Sequence, residues 1–244
     1  MACGQSMYER LHMMRANRSL AWTPAGLDVG LVSYWAMRTN SATTVWDEYG
    51  TNTGTAVNGV VFGSAYGKRD EGVNFDGTND YVSTQLTPRI IGNITNMSIS
   101  VWVKQLGQVD TWAAIIASAG YDATNQSYDI RYNSNWTAIN SFGVSSTNIP
   151  SINQWCLITS VRSETNSSIY INGILSISAT KTNSGILQTA IPTLIGADNT
   201  ASGNALYNYY KGSVDEVAIW GRALTSDEVF QLYSQPLYKP YRSN

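Results

Sequence analysis

The sequence predicts an all-β fold: a two-sheet antiparallel sandwich with one short C-terminal helix and an N-terminal arm. Three observations predict it. Short runs alternate with period two, so that Ile99, Val101 and Val103 share one strand face while Ser100, Trp102 and Lys104 share the other. Turn signals separate the runs, the strongest being Asn172-Gly173 between Ser168–Ile171 and Ile174-Leu175, where a two-residue type I′ turn needs φ > 0 at both centres. No helix-period segments alternate with the strands, which argues against a parallel α/β sheet.

In chain order, residues 1–28 form an arm distinct from the rest. Met7, Leu11 and Met14 recur at helical spacing, and Arg10, Arg15 and Arg18 make the arm basic. Two readings stand: a leader without fixed partners, or a docking arm whose methionine-rich face packs on a partner protein, a use that suits this adaptable side chain. No unbroken apolar core precedes a small-residue cleavage site, so a secretory signal is not expected. The sandwich is expected over residues 29–235. Its strands include Ser98–Lys104, Trp155–Arg162, Ser168–Leu175 with its turn, Thr193–Ile195 and Val214–Trp220, and Asp76-Gly77 reads as a second hairpin turn. Thr225-Ser226-Asp227-Glu228 matches a capping box, and Val229, Leu232 and Tyr233 then give a helix one apolar stripe. Pro236 ends it, and residues 236–244 are a tail.

Composition narrows the function classes. Only 13% of the 244 residues are charged, against about 25% in an ordinary soluble domain. Asn, Ser and Thr fill the gap. Fifteen basic against 17 acidic side chains leave no excess for phosphate contacts, so nucleic acid is not an expected partner. Eight Trp and fifteen Tyr argue against disorder, and no apolar run reaches the ~18 residues of a membrane span. Two cysteines build no disulfide framework; Cys156 sits in an apolar strand and reads as a buried hydrophobe. The one histidine, His12, lies in the arm, which removes His-dependent triads from the sandwich. Six Asn-x-Ser/Thr triplets occur, and in a chain this rich in those residues they are read as chance.

Four blocks in order carry a family resemblance: Val73–Val82, Ser98–Lys104, Ile169–Gly173 and Gly212–Trp220, the last running on into the capped helix. Together they resemble laminin-G-like jelly rolls of the concanavalin A-like lectin and glucanase superfamily, from about Leu31 to Tyr233. The resemblance implies two antiparallel sheets, one concave and one convex. Glycosidases of this superfamily carry their carboxylates on one strand as Glu-x-Asp-x-x-Glu or a near variant. None of the six glutamates here begins such a motif, and Asp215 and Glu216, adjacent in a strand, are expected to face opposite ways. No catalytic residue is assigned.

Asp215 shares its expected strand face with Val217 and Ile219 and so is expected to point inward, where a carboxylate must be paired, hydrogen-bonded or metal-bound. Many relatives hold a structural calcium where an early loop meets the last strand, and Asp47 lies in such an oxygen-rich loop. Asp47 and Asp215 are therefore the candidate calcium ligands, with capping of backbone N–H groups as the alternative. Asp80 is expected to make a local Asx-type bond. Trp35, Trp155 and Trp220 read as packing residues. Trp112 and Trp136, with Asn135, lie in polar stretches and read equally as sugar-stacking or as subunit-contact residues, as does Tyr207–Tyr210. The function expected first is a non-catalytic surface module of a large assembly. It is most simply a phage virion decoration with adhesive or glycan-binding capacity, docked on other particle proteins through Met7, Leu11 and Met14. The location expected is the virion surface or another extracellular-facing site, and a homo-oligomer is compatible with it. A soluble carbohydrate-binding lectin and a glycosidase of unrecognised motif are the alternatives.

Overall fold

The computed structural model describes residues 26–39, 43–92, 95–107, 111–118, 128–133, 138–180, 190–200, 203 and 205–237. The arm residues Met7, Leu11 and Met14, and Asn135 and Trp136, lie outside them. The strands, in chain order, are β1 (Leu31–Thr39), β2 (Thr44–Asp47), β3 (Gly54–Val57), β4 (Val61–Gly63), β5 (Gly72–Asp76), β6 (Tyr81–Thr84), β7 (Met97–Gln105), β8 (Ala114–Ser118) and β9 (Tyr128–Tyr132). They continue as β10 (Ile139–Ser141), β11 (Val144–Ser146), β12 (Trp155–Arg162), β13 (Asn166–Ile171), β14 (Ile174–Thr180), β15 (Thr193–Ile195), β16 (Asp198–Asn199), β17 (Leu206–Tyr207) and β18 (Lys211–Trp220). A short α1 (Pro88–Ile91) and the longer α2 (Ser226–Ser234) complete the described elements.

Two antiparallel layers result. In the first, β18 pairs with β7 on one side, and the order continues through β12, β13 and β14. On its other side β18 has two partners in succession, β5 along Lys211–Val214 and β1 from Val217 onward. The second layer runs β2-β3-β6-β15-β8-β9-β10-β11. β1 joins the layers: its first half pairs with β18, and it then pairs with β2 at Trp35 and Thr39, passing Met37 at φ 48°. At the far edges, β11 meets β14 through the Ser146 and Ser176 hydroxyls, 2.6 Å apart.

Alternation explains which side chains fill the space between layers. Ile99, Val101 and Val103 face Ile116, Ile130 and Ile195 within one continuous core, with Trp35, Phe75 and Tyr128 among its largest members. Trp102, on the opposite face of β7, belongs to a second cluster with Tyr34, Leu157, Trp220, Val229 and Leu232. The second cluster lies under α2, whose N-terminus carries the expected capping box: the Thr225 hydroxyl accepts from Glu228 N, and the Glu228 carboxylate accepts from Thr225 N. Cys156 is buried in the main core, and burial pushes its thiol up to about 12, too high for a reactive thiolate.

Three expectations change. Asp76-Gly77 does not make a hairpin, because β5 and β6 lie in different layers. Asp76 instead accepts from Thr78 N in an Asx turn, and Asp80 reaches two N–H groups, those of Asp76 and Gly59. The sandwich also begins before residue 29. Leu27 is fully buried in the second cluster and its carbonyl accepts from the Trp220 indole at 2.7 Å. Leu237, expected in the tail, is buried in the same cluster.

Candidate functional site

The Asp215-Glu216 pair departs most from simple alternation. Between Asp215 and Ala218 the partner strand advances only from Trp102 to Ser100, so β18 carries one extra residue. Glu216 takes up the bulge at φ 47°. Val214, Val217 and Ile219 all remain in the main core. Asp215 is buried as expected, at 0% exposed, but not on the face it was expected to share with Val217, and the expected opposite facing of the pair is corrected: both carboxylates sit on the side of Tyr34, Arg69 and Trp102. Asp215 Oδ2 accepts from Lys68 N and Arg69 N, each at 2.8 Å, and its Oδ1 accepts from Glu216 N at 2.8 Å. Glu216 lies 3.5 Å from the Arg69 guanidinium, and the buried Tyr34 phenol stands next to it. Burial pushes Asp215 up to about 7, against the pull of its N–H donors. Burial and the Asp215 charge push Glu216 up to about 8.

Asp47 is a capping group of the same kind. Its Oδ1 accepts from Tyr34 N, Tyr49 N and Gly50 N, and its Oδ2 from Asn52 N, at 2.8 to 3.2 Å. N–H groups aimed at a carboxylate occupy the directions from which a cation would bind. The donor set at Asp47 and Asp215 does not fit calcium in this geometry. Among the described residues no group of three or more His, Cys, Asp or Glu side chains is placed to hold a metal ion.

Of the segments singled out for glycan or subunit contact, two have described residues, those of Trp112 and of Tyr207-Asn208, and these lie close together. Ala114 N donates to Asn208 O at 2.8 Å, and Tyr132 N donates to Ala113 O at 3.0 Å. Asn133 then closes the next loop, exchanging bonds with Ala138 through its own N–H and its side-chain oxygen. The turn bearing Trp112, the bonded pair Asn133 and Ala138, and the Tyr207-Asn208 segment therefore meet at one end of β8 and β9. Trp112 is 40% exposed there. Asn135 and Trp136 lie outside the described residues.

A charged cluster missed in the sequence fixes this end. Arg131, on β9, is 4% exposed; its Nε donates to Asp129, and its Nη1 lies 2.9 Å from Asp198 Oδ2. Asp198 begins the small β16–β17 ribbon, where it pairs with Tyr207. The ion pair thus ties the ribbon carrying Tyr207 and Asn208 onto β9. Burial works against the Arg131 charge, but Asp129 and Asp198 more than offset it and raise its value further. Burial raises Asp198 too, with Arg131 pulling it back in part. Two residues of opposite charge separated by 67 positions leave no spacing signal, which is why the pair escaped the sequence reading. The solvent-shielded polar atoms here that lack a hydrogen-bond partner include Arg131 Nη2, Asn199 Oδ1 and Asn140 Nδ2.

Comparisons with known proteins agree with the architecture. A family model described as the concanavalin A-like lectin/glucanases superfamily matches residues 76–230. No curated protein sequence is significantly similar to the chain. Among solved structures, Trypanosoma rangeli sialidase superposes at a TM-score of 0.66 with 12% identity, over 96% of this chain and 40% of the sialidase. The binding domain of botulinum neurotoxin serotype G gives 0.61 with 18% identity, over 84% of this chain and 50% of that one. Domain 4 of a GH43 extracellular arabinanase from Geobacillus stearothermophilus, in complex with arabinotriose, gives 0.55 with 16% identity, over 83% of this chain and 98% of that domain. At such identities the likeness is one of fold, and the chain spans about two fifths of the sialidases it matches. Glycosidases and non-catalytic binding domains both share that fold.

Proposed function

The chain belongs to the concanavalin A-like lectin/glucanase superfamily, and from that premise we propose that it is a non-catalytic carbohydrate-binding module acting as the adhesive part of a larger assembly. One observation carries the reading: the turn bearing the exposed Trp112 and the Tyr207-Asn208 segment, separate in sequence, meet at one end of β8 and β9 beside Tyr132 and Asn133. An aromatic face stacks on the apolar face of a sugar ring, while amides exchange hydrogen bonds with its hydroxyls. The arabinotriose held by a domain of this fold supports an oligosaccharide as the ligand.

The carboxylates support the absence of catalysis. Glycoside hydrolysis needs two facing carboxyl groups, one free to donate a proton and one free to attack or activate water. All five buried carboxylates among the described residues are otherwise engaged. Asp47, Asp80 and Asp215 hold backbone N–H groups, Asp198 holds Asn199 N and Arg131, and Glu216 faces Arg69. The larger assembly is read from the partial coverage of the sialidase and neurotoxin structures, in which this fold is one part of a longer chain. A phage particle, with the module on its surface and the arm of Met7, Leu11 and Met14 docked on a neighbouring structural protein, is the specific form of that reading.

A glycan array tests the function. Binding to at least one oligosaccharide class is expected, with no release of reducing sugar from the bound glycans on prolonged incubation. Trp112→Ala removes an exposed ring and should weaken binding about tenfold or more, as loss of an aromatic stacking contact does, while the thermal midpoint stays close to that of the parent. Hydrolysis of a bound glycan, or an array without signal, overturns the reading.

A further inference from the structure

We infer that β14 is a docking edge for a second copy of this chain, pairing antiparallel with the same strand across a two-fold axis. The inference stands apart from the carbohydrate reading. Among the described residues β14 hydrogen-bonds to β13 alone and ends the first layer on that side. The second layer lies beneath it: the Ser160 hydroxyl of β12 donates to Ser141 of β10, and the Ser176 hydroxyl of β14 stands 2.6 Å from that of Ser146 on β11. Among the described residues no backbone bond reaches the outer edge of β14. Its outward N–H and C=O groups are a row that a further strand can take up. Burial agrees. Ile177 and Ala179 pack against the main core yet stay half-buried, whereas Ile169, opposite Ile177 on β13, is fully buried. The side chains are covered from the layer below and from β13, and what they lack is a neighbour alongside.

Edge strands of monomers carry guards against such pairing: a lysine or other charge, a proline, or a bulge. β14 reads Ile-Leu-Ser-Ile-Ser-Ala-Thr, without charge or proline, and Ile174 and Leu175 are 70% and 51% exposed. Its one irregularity is the extra residue at Ser176, since Ile177 stands opposite Ile169 and Leu175 opposite Tyr170. The uncharged strip continues off the strand. Gly173 lies against Phe230 and Tyr233 of α2, both exposed, and α2 carries no charge from Val229 to Ser234. A charged partner finds no complementary group on this strip. A second copy suits it, because a two-fold axis sets a surface against itself and any charge there would meet its like. The strand also reads alike in both directions about Ile177, with serine on each side and then Leu175 and Ala179. Antiparallel pairing centred there sets Ser176 opposite the partner's Ser178, hydroxyl to hydroxyl, and Leu175 opposite the partner's Ala179, large to small.

The test uses the full chain. Sedimentation equilibrium between about 1 and 100 μM should show a species of twice the chain mass that gains weight with concentration. Ser178→Lys and Ser178→Glu each put a charge at an exposed position of the edge. Each variant should stay monomeric over that range with its far-UV circular dichroism unchanged. An equimolar mixture of the two should recover the paired species, because opposite charges then meet across the axis. Amide hydrogen exchange of the parent needs no variant. The amides of Ile177–Thr180 should slow about threefold or more from the lowest concentration to the highest, while those of β4, which pairs with β5 alone, keep their rate. A chain that stays monomeric throughout, a paired species that both variants leave intact, or β14 amides indifferent to concentration overturns the inference.

Discussion

Glu216 is the residue at which β18 stops alternating, and its chemistry follows from that. A regular strand would have put its carboxylate into the apolar core beside Val214. The extra residue keeps Val217 and Ile219 in the core and leaves Asp215 and Glu216 together on the other side. The groups that face them are Tyr34 and Arg38 from β1, Arg69 from the loop before β5, and Glu48 beyond Tyr34. Both carboxyls lie above their unfolded values of roughly 4, at about 7 and about 8. The folded state therefore holds more protons than the unfolded one between those limits. The stabilisation this gives is complete below the unfolded values and is lost as pH rises through about 7 for Asp215 and about 8 for Glu216. Glu216→Gln removes the higher of the two titrations. Thermal melts at pH 6 and pH 9 should show the parent losing more stability over that range than the variant, by on the order of 2 kcal/mol. Parallel pH profiles would refute the assignment.

At the scale of elements, local chemistry was legible and non-local pairing was not. Asn172-Gly173 adopts φ 52° and φ 79°, as its sequence requires, and Asn172 Oδ1 accepts from Leu157 N, so the turn is anchored on β12 as well. The capping box of α2 was equally plain, because every group it needs lies within four residues. The β18 bulge was hidden for the opposite reason. Its cause is a change of partner from β5 to β1, and nothing in Val214–Val217 records which strands will lie alongside. The Arg131–Asp198 tie was hidden likewise, whereas the Trp112 and Tyr207 segments were marked by composition without any sign that they would meet. The turn also shows where two elements depend on each other. A Cβ on Gly173 would lie 3.1 Å from Tyr233 Cβ and 3.3 Å from Phe230 Cα, the latter part of the α2 backbone. Gly173→Ala combines left-handed strain with that crowding. It should cost about 2 kcal/mol, more than the ~1 kcal/mol of a positive-φ glycine in open space, read as a lower urea midpoint with an unchanged slope.

For the whole molecule, the scarcity of charge is matched by how the charges are used. Buried carboxylates hold backbone N–H groups or arginines, and the exposed layers are left to Asn, Ser, Thr and aromatic side chains. The same economy closes the sandwich at its N-terminal entry. Gly26 O accepts from Arg222 Nη2 at 2.8 Å, Val29 O accepts from Arg222 Nε at 2.6 Å, and Arg222 in turn grips Glu228 of α2 with both Nη groups. Leu27, fully buried among Trp220, Val229 and Leu232, supplies the acceptor for the Trp220 indole. Residues 26–28 are therefore a latch between the chain's entry and its last helix. A variant beginning at Gly26 keeps the latch, and one beginning at Val29 loses it. The second leaves an apolar cavity of one leucine, worth about 2–3 kcal/mol, and a buried indole N–H without an acceptor, worth about 1–3 kcal/mol. At about 2–4 °C per kcal/mol for a domain of this size, it should melt roughly 6–24 °C below the first. Equal midpoints would show that the entry segment is carried passively. Any experiment asking whether the preceding arm docks on a particle therefore has to cut before Gly26, so that loss of docking is not mistaken for loss of the fold.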